Sequence, residues 1–152
     1  MHMSTLTEAR RAIRENADFA PLRALVPYAA FLGLKIQQQG DALSFHLPYR
    51  PNLIGNASLP AIHGGVIAAF MENAAQLHLL LQLDENKVPK SIDFSIDYLR
   101  SAHAEDSYAA CEVARLGRRV AQVQIRCWQS SESRLIALGR AHFLLEATTD
   151  PE

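Results

Sequence analysis

Cysteine is scarce in this chain: two among 152 residues, Cys111 and Cys127. They form no C-x-x-C pair, and two thiols cannot build a disulfide framework. Both fall in apolar, strand-like segments, where a buried reduced thiol is the ordinary state. An excess of one charge is also missing. The 15 Lys and Arg nearly offset the 16 Asp and Glu, for a net charge of −1, which excludes a general nucleic-acid surface. No apolar run is long enough for a membrane span. The start, Met1-His2-Met3-Ser4-Thr5, has no apolar signal stretch, so the cytoplasm is the expected compartment and no membrane partner is expected. The six histidines are scattered without H-E-x-x-H or another compact ligand spacing, so no metal is expected. There is no G-x-S-x-G, no phosphate loop and no dinucleotide fingerprint, which disfavours a serine hydrolase or a nucleotide-dependent enzyme.

What is present is an ordinary globular composition, 49% hydrophobic and 20% charged, on a chain long enough for one core. We expect a single domain over 1–152, with a helical extension over 1–27 and a core over 28–146. Thr5-Leu6-Thr7-Glu8 has the form of a capping box and predicts a helix through about Asn16. Asp18 to Leu25 predicts a second short helix closed by Pro27. Tyr28 to Leu34 is apolar and is expected to dock on the core. Leu34 to Leu47 reads as two extended pieces around Gln39-Gly40-Asp41. Pro48, Pro51 and Pro60 then punctuate a long irregular segment.

Gly65 to Leu83 is almost wholly apolar on every side. It predicts a helix of ~28 Å, buried all round and ended near Asp84-Glu85-Asn86. Four strands follow. In Ser91 to Arg100, strict alternation puts Ile92, Phe94, Ile96 and Tyr98 on one face and Ser91, Asp93, Ser95 and Asp97 on the other. Tyr108 to Leu116 and Val120 to Gln129 flank a hairpin turn at Gly117-Arg118. Ser130-Ser131-Glu132-Ser133 turns into Leu135 to Leu145, and the tail from Ala147 is expected to fray. Short turns predict that these strands are sequential antiparallel neighbours. The class is α+β, one sheet covering one long helix. The helix has more apolar surface than one small sheet hides, which predicts a two-fold dimer.

The chemistry gathers at the start of that helix. His63-Gly64-Gly65 offers backbone N–H groups that have no acceptor within the first helical turn. Glu72 is the single acid between Gly64 and Leu83, and a carboxylate in an apolar helix is costly without a purpose. Gln76 follows at i+4 on the same face, either to orient water or substrate or to satisfy Glu72. His78 lies off that face and reads as structural. Arg115, Arg118 and Arg119 surround the Gly117 hairpin and Arg100 ends a strand; they form either a solvated turn or a phosphate site.

His63-Gly64-Gly65-Val66-Ile67-Ala68-Ala69-Phe70-Met71-Glu72 resembles the H-G-G-x-x-x-x-x-x-[D/E] signature of the phenylacetate-degradation (PaaI-like) group of hotdog-fold thioesterases. Leu47 to Pro51, Ser91 to Arg100 and Arg115 to Arg119 extend the resemblance over about residues 28–145. It implies the hotdog fold, a long central helix wrapped by a curved antiparallel sheet. It also implies dimers with shared active sites, often paired as tetramers. The implied activity is hydrolysis of small or medium acyl- or aryl-CoA thioesters, with coenzyme A part of the substrate and no cofactor. By position, the resemblance makes Glu72 the general base or nucleophile and the Gly64 N–H the oxyanion donor. His63 supports the thioester carbonyl, and Ser91 positions water from the partner subunit. Gly65, Arg100, Arg118 and Arg119 would bind substrate or coenzyme A. The chain departs twice from the family pattern. Many relatives carry Asp where Glu72 stands. Relatives also carry Asn six residues before the His; here that position is Ala57, and Asn56 stands one residue earlier as the candidate. A hydratase or dehydratase of the same fold, and a non-catalytic acyl-CoA binding protein, remain open alternatives at this point.

Overall fold

The computed structural model describes residues 3–83 and 87–147. The expected turn at Asp84-Glu85-Asn86 and the tail beyond Ala147 lie outside the described residues. Three helices open the chain: α1 (Met3–Asn16), α2 (Ala20–Ala24) and α3 (Pro27–Leu32). The first starts before Thr5, which therefore lies inside its first turn instead of capping it. Pro27 opens α3 at its first position, where its missing N–H costs nothing. Leu6, Leu22 and Leu32 anchor the three helices with fully buried side chains. Arg10 on α1 is buried too. Its Nη2 donates to the carbonyls of Leu80 (2.8 Å) and Leu83 (2.7 Å). The N-terminal extension thus caps the far end of the long helix with a cation, where the helix dipole favours one.

β1 (Lys35–Gln39) and β2 (Ala42–Leu47) form the expected hairpin. The proline-punctuated segment is not wholly irregular. It holds a single 3-10 turn (Pro51–Leu53) and a small antiparallel pair, β3 (Ile54–Asn56) with β4 (Ala61–Ile62). The pair delivers the chain into α4 (Gly64–Gln82). Phe70, Met71, Leu77 and Leu79 on α4 are fully buried with Phe45 and Phe143 from the sheet. The helix is not buried all round, however. In the single chain, Gly65 is exposed, and Ala68, Ala69, Glu72 and Gln76 are only half-buried. These positions follow helical spacing and make one open stripe.

The last four strands are β5 (Lys87–Tyr98), β6 (Ser107–Leu116), β7 (Val120–Trp128) and β8 (Leu135–Ala147). The main sheet runs β1-β2-β6-β7-β8-β5, antiparallel throughout. This is the hotdog arrangement, but β5 is not beside β6. It crosses to the free edge and pairs with β8. A period-two pattern says which face a residue takes, not which neighbour its strand takes. The link from β5 to β6 is a long crossing that lays Ala102 against Ile62, whose N–H donates to the Ala102 carbonyl at 2.8 Å.

A bulge at Ile92 corrects the expected alternation in β5. Ser91 pairs with Phe143, whose side chain is fully buried, while Asp93 pairs with outward-facing His142. The extra residue turns Ser91 toward the helix side of the sheet, with Phe94 and Ile96, instead of leaving it with Asp93.

Candidate active site

His63 caps α4. Its backbone N–H donates to the Leu53 carbonyl at 2.9 Å, and its Nδ1 accepts from the Gly65 N–H at 2.9 Å. A backbone amide can only donate, so the neutral ring carries its proton on Nε2. The His63 carbonyl accepts from Val66 (2.9 Å) and Ile67 (3.3 Å). Of the four N–H groups in the first turn, three are thereby satisfied. The Gly64 N–H alone has no acceptor among the described residues, and it points out of the positive end of a 19-residue helix.

Both glycines sit tightly against neighbours that a side chain would displace. A Cβ on Gly64 would lie 3.2 Å from the Tyr98 ring and hydroxyl; one on Gly65 would lie 3.0 Å from His63 Nδ1. Tyr98, from the end of β5, donates its hydroxyl to the Gly64 carbonyl at 2.6 Å. Partial burial raises the phenol's pKa above its ordinary value, so it stays a donor. A cleft of about 460 Å³ opens here, lined by Ile62, Gly64, Ile67, Tyr98, Arg100 and Ile136. Sequence reasoning missed Tyr98. Its partner is a backbone carbonyl 34 positions away, and no residue pattern reports that.

Glu72 is half-buried on the open stripe of α4 and has no hydrogen bond or ion pair among the described residues. It lies eight residues past Gly64, or ~12 Å along the axis. Gln76 does not bond to Glu72; its Nε2 reaches the Pro89 carbonyl on β5 at 3.3 Å, two residues before Ser91. Ser91 is seven residues before Tyr98 on that strand, so it lies roughly 20 Å from the Gly64 end. Asn56 is exposed, and its Oδ1 accepts from Ser58 (3.0 Å) and Leu59 (3.3 Å), organising the loop before β4.

The arginines divide. Arg100 borders the Gly64 cleft, with Nη1 on the Leu135 carbonyl at 2.6 Å. Arg118 and Arg119 form the β6–β7 turn, closed by Gly117 N–H to Val120 carbonyl at 2.9 Å, and border a cleft of about 320 Å³ with Arg115 and His142. The Arg119 carbonyl accepts from Leu145, near the opposite end of β8 from Leu135. One chain therefore holds two half-sets. His63, Gly64, Gly65, Tyr98 and Arg100 gather at one end; Gln76, Ser91, Arg118 and Arg119 gather at the other, with Glu72 between.

Residues 59–136 match the family model of the thioesterase superfamily. The chain is 26% identical to the medium/long-chain acyl-CoA thioesterase YigI of Escherichia coli, covering 94% of this chain and 99% of that protein. A solved protein of Chromobacterium violaceum is 35% identical, with TM-score 0.71 over 95% of this chain and 99% of that one. A Bacillus halodurans protein solved with CoA shares the fold at 19% identity, with TM-score 0.70 over 97% and 92% of the two chains. With its matched region spanning just over half of its length and carrying both the free Gly64 N–H and the Glu72 carboxylate, the chain belongs to the thioesterase superfamily.

Proposed function

We propose that this protein is an acyl-CoA thioesterase, releasing a free acid and coenzyme A. The observation that carries the reading is the single unoccupied first-turn N–H, Gly64, at the mouth of a cleft. A thioester carbonyl seated there develops its oxyanion against a fixed donor, worth ~10²–10³ in rate. His63 Nε2–H is a second donor at the same carbonyl. Glu72 either takes a proton from a water that attacks the carbonyl carbon, and returns that proton to the leaving thiolate as the C–S bond breaks, or attacks the carbon itself, expelling the thiolate (which takes a proton from water) and leaving a mixed anhydride that a second water hydrolyses to the free acid and the Glu72 carboxylate. Ser91 positions the water. This chemistry asks for no metal or organic cofactor.

The functional unit is a homodimer, itself able to pair as a tetramer. Glu72 and Gly64 of one chain stand ~12 Å apart, too far to serve one carbonyl. A two-fold partner running antiparallel would set each Glu72 and Ser91 beside the other chain's Gly64. The open stripe on α4 and the free edge of β5, with Ile92 and Tyr98 more than half exposed, support that pairing. Arg118 and Arg119 would then hold the phosphates of a coenzyme A bound at the partner's cleft, with Arg100 at its rim. The expected compartment is the cytoplasm, where Cys111 and Cys127 stay thiols; burial pushes the Cys127 thiol up to about 12.

The test is a panel of short, medium, long and aryl acyl-CoAs with detection of released thiol. Turnover by wild type, lost by at least ~10²-fold in Glu72→Gln and Glu72→Ala with folding intact, supports the reading. Full turnover in either variant would remove Glu72 from the mechanism. Hydration of an enoyl-CoA without thiol release would point to the hydratase alternative.

A further inference from the structure

We infer that Tyr98 is the positioning residue for the oxyanion donor of this site, an inference that rests on the thioesterase reading above. The Gly64–Gly65 peptide is held at both ends by side chains from different elements. Tyr98 on β5 donates to its carbonyl oxygen at 2.6 Å, and His63 Nδ1 accepts from its N–H at 2.9 Å. A peptide plane fixed at both polar ends cannot rotate. The torsion angles of Gly64 are then set from its C-terminal side, although glycine itself imposes little restriction on them. The neighbouring peptide, whose free N–H is the proposed oxyanion donor, is joined through that same Cα, and its own carbonyl is held by Val66 and Ile67. With both peptides fixed, the donor meets the developing charge without reorganising.

The tyrosine ring lies against the Gly64 Cα: a Cβ there would meet ring and hydroxyl at 3.2 Å, close enough to push the ring out of place. The contact also couples the start of α4 to the end of the edge strand β5. Glycine at 64 and tyrosine at 98 are thus two parts of one clasp. The glycine leaves space for the ring, and the hydroxyl supplies the restraint that glycine lacks.

The experiment compares wild type with Tyr98→Phe, which keeps the ring against Gly64 and removes only the hydroxyl. Steady-state hydrolysis of the best acyl-CoA is measured together with the amide NMR spectrum. The expected result is a fall in kcat of about tenfold, a part of the ~10²–10³ at stake in the donor itself, with KM little changed. The Gly64 and Gly65 amide resonances should shift while the rest of the spectrum stays in place. Because Tyr98 and His63 hold one peptide, the loss in Tyr98→Phe/His63→Ala should be smaller than the product of the single losses. Wild-type kcat in Tyr98→Phe, or a loss confined to KM, would overturn the positioning role and leave the thioesterase reading standing. Absence of thioester turnover in wild type would overturn that reading and this inference with it.

Discussion

At the residue scale, the helix start separates two jobs that one histidine performs. His63 Nδ1 caps Gly65, and in the proposed mechanism Nε2 is left to donate to the substrate carbonyl. His63→Ala removes both; it should cost about 1 kcal/mol of stability for the lost cap as well as activity. His63→Asn retains a side-chain oxygen that can accept from the helix start, and Asn is among the best caps. We expect it to keep most of the stability in urea unfolding while kcat still falls, because the ring N–H is gone. The places of His63-Gly64-Gly65 at a helix start and of the lone acid Glu72 within that helix were legible, because a glycine pair before an apolar run and a single charge inside it stand out by residue type and spacing. Asn56 shows the opposite case. Its side-chain type fits a substrate contact, yet its Oδ1 is engaged by the Ser58 and Leu59 amides, a use that depends on loop geometry. Arg118 and Arg119 read as companions of Arg100 in sequence, but β8 holds them far apart in one chain.

At the element scale, α4 depends on contacts at both ends. Arg10 on α1 donates to Leu80 and Leu83 at its C-terminus. Arg10→Met should therefore lower stability by about 2–3 kcal/mol, since charged hydrogen bonds are lost and buried carbonyls are orphaned. For a chain of this size that is roughly 5–10 °C in Tm, read by calorimetry. Within α4, His78 is buried edge-on to Phe45, with Nε2 against the Gln82 amide at 2.9 Å. Burial lowers its pKa from 6.5. The unfolded chain then binds the proton more readily than the fold does, so its contribution is intact above 6.5 and lost as pH falls below it. Unfolding curves from pH 7.5 to 5 should show wild type losing more stability than His78→Phe over that range. The long helix was readable from an uninterrupted apolar run and the later strands from their alternation, but neither pattern announced the open stripe on α4 or the bulge at Ile92. The strand order was not readable, because alternation is silent about partners. Nor was the second half of the α4 story, since Arg10 lies 70 residues from the carbonyl it caps.

At the scale of the whole molecule, the proposed division of the site between the two ends of one chain makes a prediction about mixtures. Glu72→Ala and Gly64→Val should each be inactive alone. Coexpressed, they form mixed dimers in which one site carries both defects and the other carries neither. Activity should then return to roughly a quarter of wild type for random pairing; two chains with self-contained sites would stay inactive at any ratio. Size-exclusion chromatography of Ile92→Lys, which puts a charge on the exposed β5 edge, should show a shift toward monomer with loss of turnover. That edge strand has one more consequence. Ser91 and Tyr98 are an odd number of positions apart, and in an uninterrupted strand an odd separation sends two side chains to opposite sides of the sheet. The single supernumerary residue at Ile92 changes that parity. One strand thereby presents the Ser91 hydroxyl near its beginning and the Tyr98 clasp at its end on the same surface. In the proposed dimer, with a second copy alongside in reverse, each strand would supply opposite halves to two centres at once.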